Sequence, residues 1–76
     1  MTQIDMPEII VYTHPDCSYS TAVKIDYENQ GIEFKEIDIS VHPEAIPDLE
    51  RLAGGERITP VIVIGDEVTI GFNGIG

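Results

Sequence analysis

The order of short β-type segments around one amphipathic helix is the feature that most restricts the fold of this chain. Residues 8–13 are rich in β-branched and aromatic side chains, as expected for a buried strand. A proline-containing break follows, and residues 17–30 then predict a helix that stops at Gly31. A second strand is predicted over 32–39. Two strands joined through a helix indicate a parallel pair with a right-handed crossover.

The second half of the chain predicts a short helix and a hairpin. The helix lies within 44–53, where Pro47 suits a first-turn position. Residues 61–64 and 67–70 are separated by two residues, which predicts an antiparallel hairpin. The predicted order is therefore βαβαββ. It indicates a single α/β domain over 1–76, with helices on the faces of a four-stranded mixed sheet.

Composition restricts the partners of this domain. The chain has 14 acidic and four basic residues, a formal net charge of −10. Without a basic patch, nucleic acid is excluded as a partner, and no apolar run approaches the ~20 residues that cross a bilayer. The N-terminus lacks the features of a signal peptide, so a cytoplasmic location without membrane association is expected. A positively charged protein would associate fastest with such a surface.

The single cysteine, Cys17, lies where the first strand ends and the first helix begins. One cysteine excludes a disulfide within the chain and a multi-thiolate metal site in a monomer, so no metal ligands are predicted. Free N–H groups and the dipole at a helix start lower a thiol pKa from about 8.5. A lone cysteine is usually a small buried side chain. Here it precedes the apolar stripe of the helix, which favours a reactive thiol.

Two further features bear on this thiol. Ser20 follows three residues later, where its hydroxyl can donate toward the sulfur but cannot form a disulfide. A mixed disulfide on Cys17 must then be released by a second molecule, although Ser20 is also an ordinary residue for a first helical turn. Thr59-Pro60 precedes the third strand, a usual position for proline, and the pattern leaves cis and trans open.

These segments in this order resemble the glutaredoxin family of the thioredoxin superfamily over nearly the whole chain. The resemblance rests on a combination of short motifs: Val11-Tyr12-Thr13 ahead of Cys17, Tyr19, Ala22, Gly31-Ile32, Gly54-Gly55, Thr59-Pro60-Val61, Gly65-Asp66 and Gly71-Phe72. It implies a thioredoxin-like fold and thiol–disulfide exchange with Cys17 as the nucleophile. It also implies a cis Thr59–Pro60 bond beside which an extended thiol substrate pairs with the backbone of Thr59.

Several positions differ from the usual family pattern. Ser20 replaces the second cysteine, which gives the monothiol C-x-x-S type. His14 stands where the family has a lysine that binds a glutathione carboxylate. Gly71-Phe72-Asn73-Gly74 stands in place of the family's glycine-glycine-x-aspartate segment, whose backbone holds the γ-glutamyl group. The resemblance thus implies substrate contacts from six residues, and glutathione as a candidate co-substrate with no other cofactor: His14, Tyr19, Thr59, Pro60, Gly71 and Phe72.

The glycine-phenylalanine pair is also similar to glutaredoxin-like redoxins that take electrons from thioredoxin reductase, although those use two cysteines. A short bacterial glutaredoxin-like group is similar too, and its leading residue can be selenocysteine. In that case Cys17 takes the place of a selenol. A serine introduced at Ser20 in place of a cysteine is a further alternative.

The resemblance leaves three functions and two partner classes open. The first expectation is a monothiol thiol–disulfide oxidoreductase acting with glutathione or with a protein thiol or disulfide. The alternatives are a [2Fe–2S] carrier, with one cysteine from each of two chains and two glutathione thiols, and a redox-inert binding module. The family's final helix does not fit into residues 71–76. Uncovered apolar surface is therefore expected, covered by a homodimer or by a helix displaced into the gap.

Overall fold

The fold is that of a computed structural model, which describes residues 8–71. Its elements follow the predicted order, with one additional 3₁₀ turn: β1 Ile9–Thr13, α1 Ser18–Asn29, β2 Lys35–Asp38, the 3₁₀ turn Pro43–Ala45, α2 Ile46–Leu52, β3 Val61–Ile64 and β4 Glu67–Ile70. The four-stranded α/β fold predicted from the sequence is confirmed. No helix within 8–71 is long and apolar enough to cross a membrane.

The strands form one mixed sheet in the order β2-β1-β3-β4. β1 runs parallel to β2 and antiparallel to β3, and β3 is antiparallel to β4. The loops that follow β1 and β2, the loop that precedes β3 and the end of β4 therefore lie at the same end of the sheet. We call it the thiol end, because Cys17 lies there in the loop after β1.

β2 is shorter than the predicted 32–39, because residues 31 and 32 close α1 instead of belonging to the strand. Gly31 has a positive φ of 72° and its N–H donates to the Glu28 carbonyl, while the N–H of Ile32 donates to the Tyr27 carbonyl at 2.9 Å. These two bonds close the helix in a Schellman motif. The chain enters the sheet only at Lys35, and the Phe34 ring makes an edge contact with Tyr27.

Apolar side chains alternate between the two faces of the sheet, as strand geometry requires. On one face Val23 of α1 packs against Val11 and Ile62 of the sheet. On the other face Leu49 of α2 belongs to a second buried group, whose remaining members are Tyr12, Ile39, Ala53 and Val61. The sheet is thus anchored on both sides, which fixes the start of α1 relative to β3.

β4 is the least covered strand. Val68 and Ile70 are 40 % and 39 % exposed, and their register with Val63 and Val61 places them on the α2 face. The α1 face of this strand carries Glu67 and Thr69 instead. The expectation that the final helix of the family is missing concerns residues 72–76, which lie outside the described part.

Leu49→Ala tests the packing of α2. Leu49 is fully buried, and truncation of such a side chain removes apolar contacts and leaves a cavity. We expect a loss of about 2–5 kcal/mol in the free energy of unfolding, measured by urea denaturation followed by circular dichroism. Ile25→Ala is the control, because Ile25 is 51 % exposed. It should change the free energy by about 0.5 kcal/mol or less. Equal losses in the two variants would contradict this packing.

Candidate functional site

Cys17 is the N-cap residue of α1, one residue before the helix begins. Its backbone is extended, with φ of −99° and ψ of 113°. Its N–H donates to the His14 carbonyl at 3.0 Å, and its own carbonyl accepts from the Thr21 N–H at 3.3 Å. A tight turn therefore leads from β1 into α1, and it holds the sulfur over the free N–H groups of the first helical turn.

The sulfur of Cys17 lies against the loop that precedes β3. The protonated thiol donates to the Thr59 carbonyl oxygen at 3.2 Å. The Thr59–Pro60 peptide bond is cis, and the Pro60 carbonyl accepts from the Gly71 N–H at 2.7 Å. The half-buried thiol thus faces the Thr59–Pro60 segment, which the end of β4 in turn holds in place.

Hydrogen bonds outweigh burial in setting the acidity of this thiol. Burial raises the pKa of Cys17, because it disfavours the anion. Hydrogen bonds from the side chains of Thr59 and Ser20, and from the backbone at Ser20 and Tyr19, lower it further than burial raises it. The net result is a Cys17 pKa below its ordinary value. When the thiol ionises, its bond to the Thr59 carbonyl is lost and the donors remain.

A backbone N–H in the loop after β1 orients the Ser20 hydroxyl for donation to the sulfur. Its side chain is 1 % exposed, and its Oγ accepts a hydrogen bond from the His14 N–H at 3.3 Å. An oxygen that accepts there keeps its own proton free to donate to the neighbouring sulfur. The buried hydroxyl therefore supports the thiolate.

His14 and Asp16 lie in the loop after β1, and Asp38 ends the neighbouring strand β2. The Nδ1 atom of His14 accepts from the Asp16 N–H at 3.0 Å. Asp38, whose register partner in β1 is Thr13, accepts from the hydroxyl and the N–H of Ser40 at 2.6 and 2.9 Å. These two bonds from Ser40, with smaller contributions from the Val41 N–H and the charge of His14, lower the pKa of Asp38. Asp38 is therefore ionised at neutral pH.

The structure places most of the predicted site residues at the thiol end. His14 and Ser20 are linked to the Cys17 turn, Thr59 contacts the sulfur, and Tyr19 lies in the first turn of α1 with 40 % of its surface exposed. Gly71, at φ of 82°, ties the end of β4 to Pro60. The predicted contact from Phe72 lies outside the described residues.

Sequence reasoning did not single out Asp16 and Asp38 as charged residues at the thiol end. The signal for Asp38 was present, since a parallel pair places the carboxyl ends of β1 and β2 side by side. Asp16 precedes Cys17 directly in the sequence. Neither residue belongs to a motif with a chemical role, which is why the family pattern did not draw attention to them.

A cysteine at a helix start, beside a cis-proline loop at one end of a mixed sheet, defines a thiol protein of the thioredoxin-like class. Residues 9–69 match the family model described as Glutaredoxin, and the chain belongs to the glutaredoxin family.

Comparison with individual relatives agrees with this assignment. The chain is 34 % identical to the glutaredoxin of Pseudomonas aeruginosa over 61 residues, which cover 80 % of this chain and 71 % of that one. It is 34 % identical over 64 residues to the glutaredoxin-like protein NrdH of Salmonella typhimurium, covering 84 % and 76 %. The structure of Escherichia coli NrdH-redoxin superposes with a TM-score of 0.75 at 38 % identity, covering 86 % and 83 %.

Ser20→Ala tests the hydrogen bonds to the sulfur. Because the variant removes one donor to the anion, we expect the Cys17 pKa to rise. The ultraviolet absorbance of the thiolate, followed as a function of pH, measures it. Ser18→Ala is the matched control, since Ser18 is exposed. It should leave the titration unchanged. An unaltered midpoint in Ser20→Ala would show that the hydroxyl does not support the thiolate.

Proposed function

We propose that this chain is a monothiol thiol–disulfide oxidoreductase with Cys17 as its nucleophile. The observation that carries the proposal is the set of hydrogen-bond donors around a half-buried sulfur, which lowers its pKa despite burial. A lower pKa gives more thiolate at neutral pH, and the thiolate is the species that attacks disulfides. Family membership supports the same class of reaction.

The reaction proceeds through two exchange steps. The Cys17 thiolate attacks one sulfur of a disulfide R–S–S–R′, so that a mixed disulfide with R forms and R′S⁻ leaves with the electron pair of the broken bond. An external thiolate R″S⁻ then attacks the sulfur of R. Cys17 departs as a thiolate, and R–S–S–R″ is formed. In sum, R″S⁻ replaces R′S⁻ as the partner of R in the disulfide, and water takes up and supplies the protons.

The external thiol is required because Ser20 occupies the position from which a second cysteine would act. The Ser20 side chain hydrogen-bonds to the sulfur, but a hydroxyl cannot displace a thiol from a disulfide. The resolving thiol is glutathione or a cysteine of another protein, and the predicted cytoplasmic location would supply both. The homodimer expected from the sequence stays a prediction.

The backbone of Thr59 is the surface on which the substrate lies in this proposal. Its carbonyl faces the sulfur at 3.2 Å, and the buried Pro60 fixes the extended segment beside it. An extended substrate that pairs with this segment places its disulfide over Cys17, in a short form of strand addition.

Ser20→Cys tests the need for an external thiol. Residues three apart at a helix start are neighbours, within the range that a disulfide bridges. The protein is first converted to a mixed disulfide at Cys17 with a small thiol, and excess reagent is removed. We expect the wild-type adduct to persist until thiol is added. In Ser20→Cys the introduced thiol should expel the small thiol without any addition, as followed by intact mass spectrometry.

Ser18→Cys is the matched control, since Ser18 is exposed and residues one apart on a helix do not face each other. Its adduct should lose the small thiol much more slowly. A wild-type adduct that decays by itself would contradict the proposed need for an external thiol. A wild-type Cys17 that forms no adduct at all would contradict its role as nucleophile.

A further inference from the structure

The distribution of basic side chains is unfavourable for an anionic substrate at Cys17. All four lysine and arginine residues of the chain lie within the described part. Three of them bond to carboxylates: Lys24 to Glu36 at 3.0 Å, Arg51 to Asp48 at 2.5 Å and Arg57 to Glu50 at 3.5 Å. The fourth, Lys35, begins β2 and thus lies at the opposite end of the sheet. Within 8–71, no lysine or arginine is left free to face the sulfur.

Negative charge lies at the thiol end of the sheet instead. Asp16 directly precedes Cys17 and is exposed, and Asp38 ends the strand next to β1. The lowered pKa of Asp38 keeps that carboxylate charged at neutral pH. A thiol that carries additional carboxylates, as glutathione does, is repelled by this field, whereas a cationic one is attracted.

Exposed apolar side chains lie on both sides of Cys17 at the thiol end. Val41 follows β2 and is 68 % exposed, Tyr19 lies in the first turn of α1 at 40 %, and Ile70 ends β4 at 39 %. Neighbouring strands are about 4.8 Å apart, so β2 and β4 are separated by about 14 Å, roughly the length of four extended residues. This span suits a polypeptide segment better than a small thiol.

We propose that the Cys17 site acts on disulfides within cationic polypeptide segments and discriminates against anionic thiols such as glutathione. The proposal rests on the proposed function, because it names the substrate class of the same nucleophile. The Cys17 thiolate attacks the polypeptide's disulfide, the second sulfur leaves as a thiolate, and an external thiol releases Cys17 as described above. The basic residues of the segment approach Asp16 and Asp38, and its apolar residues contact Tyr19, Val41 and Ile70.

The test compares single-turnover rates with four disulfides that share the neutral leaving group 2-thiopyridone. Two are short peptides identical except that lysine or glutamate flanks the cysteine, one is the glutathione derivative, and one is the small cation derived from cysteamine. Release of thiopyridone is followed by absorbance after mixing with the reduced full chain. We expect the lysine peptide to react about tenfold or more faster than the glutamate peptide and glutathione at low salt. Added salt should reduce this difference.

Two variants separate a local effect from the overall charge. Asp16→Asn should lower the ratio of the lysine rate to the glutamate rate about threefold or more, since it removes a charge close to the sulfur. Using a ratio cancels any change in the thiolate fraction of Cys17. Asp66→Asn is the matched control: it removes the same charge from the β3–β4 turn, at the end of the sheet opposite to Cys17. It should leave the ratio unchanged.

The outcomes distinguish this inference from the function on which it rests. Equal rates with the lysine peptide, the glutamate peptide and glutathione would overturn the inference and leave the oxidoreductase intact. If Asp16→Asn and Asp66→Asn reduced the preference for the lysine peptide equally, that preference would come from net charge. A role of the Cys17 site in the preference would then be overturned. If the cysteamine derivative reacted as fast as the lysine peptide, the proposal that the substrate is a polypeptide segment would be overturned. Absence of thiopyridone release with every substrate would overturn the proposed function itself, and the inference with it.

Discussion

The contact between Cys17 and Thr59 is the interaction on which the candidate site depends. The two residues are 42 positions apart, and their approach to 3.2 Å is possible because β1 and β3 are antiparallel neighbours in the centre of the sheet. The C-terminal end of β1 and the N-terminal end of β3 then lie side by side. Packing of α1 on one face and α2 on the other holds these two strands in place. The chemistry of the thiol is thus a consequence of the sheet order.

The same arrangement explains how an acidic protein supports a thiolate without a neighbouring lysine or arginine. With a formal net charge of −10, the long-range field of the chain disfavours any additional anion. The donors at Cys17 act at hydrogen-bond distance instead, from Thr59, Ser20 and the first turn of α1. Such donors are directed and local, so they lower the pKa without attracting anionic substrates. In the proposed mechanism, the acidity of the thiol and its selectivity for a partner are therefore set by separate groups.

Much of the fold could be predicted from the sequence because its signals are local. Strand periodicity, the glycine after α1 and the two-residue hairpin loop gave the element order, and the hairpin strands match the predicted 61–64 and 67–70. β2 was predicted too long, since the Schellman bonds of Gly31 and Ile32 depend on backbone geometry that apolar spacing does not reveal. The central position of β1 depends on its pairing with β3, which one sequence encodes only weakly. Cys17 and Ser20 were found because their spacing is short and their chemistry distinct.

The pH dependence of Cys17 alkylation in the wild-type chain tests the central claim most directly. A neutral alkylating reagent reacts with the thiolate, so its rate follows the ionised fraction of this single cysteine. The hydrogen bonds around the sulfur predict a rate midpoint below the ordinary value of a cysteine thiol, about 8.5. A midpoint at or above about 8.5 would show that burial prevails over those bonds, and it would contradict the assignment of Cys17 as an activated nucleophile.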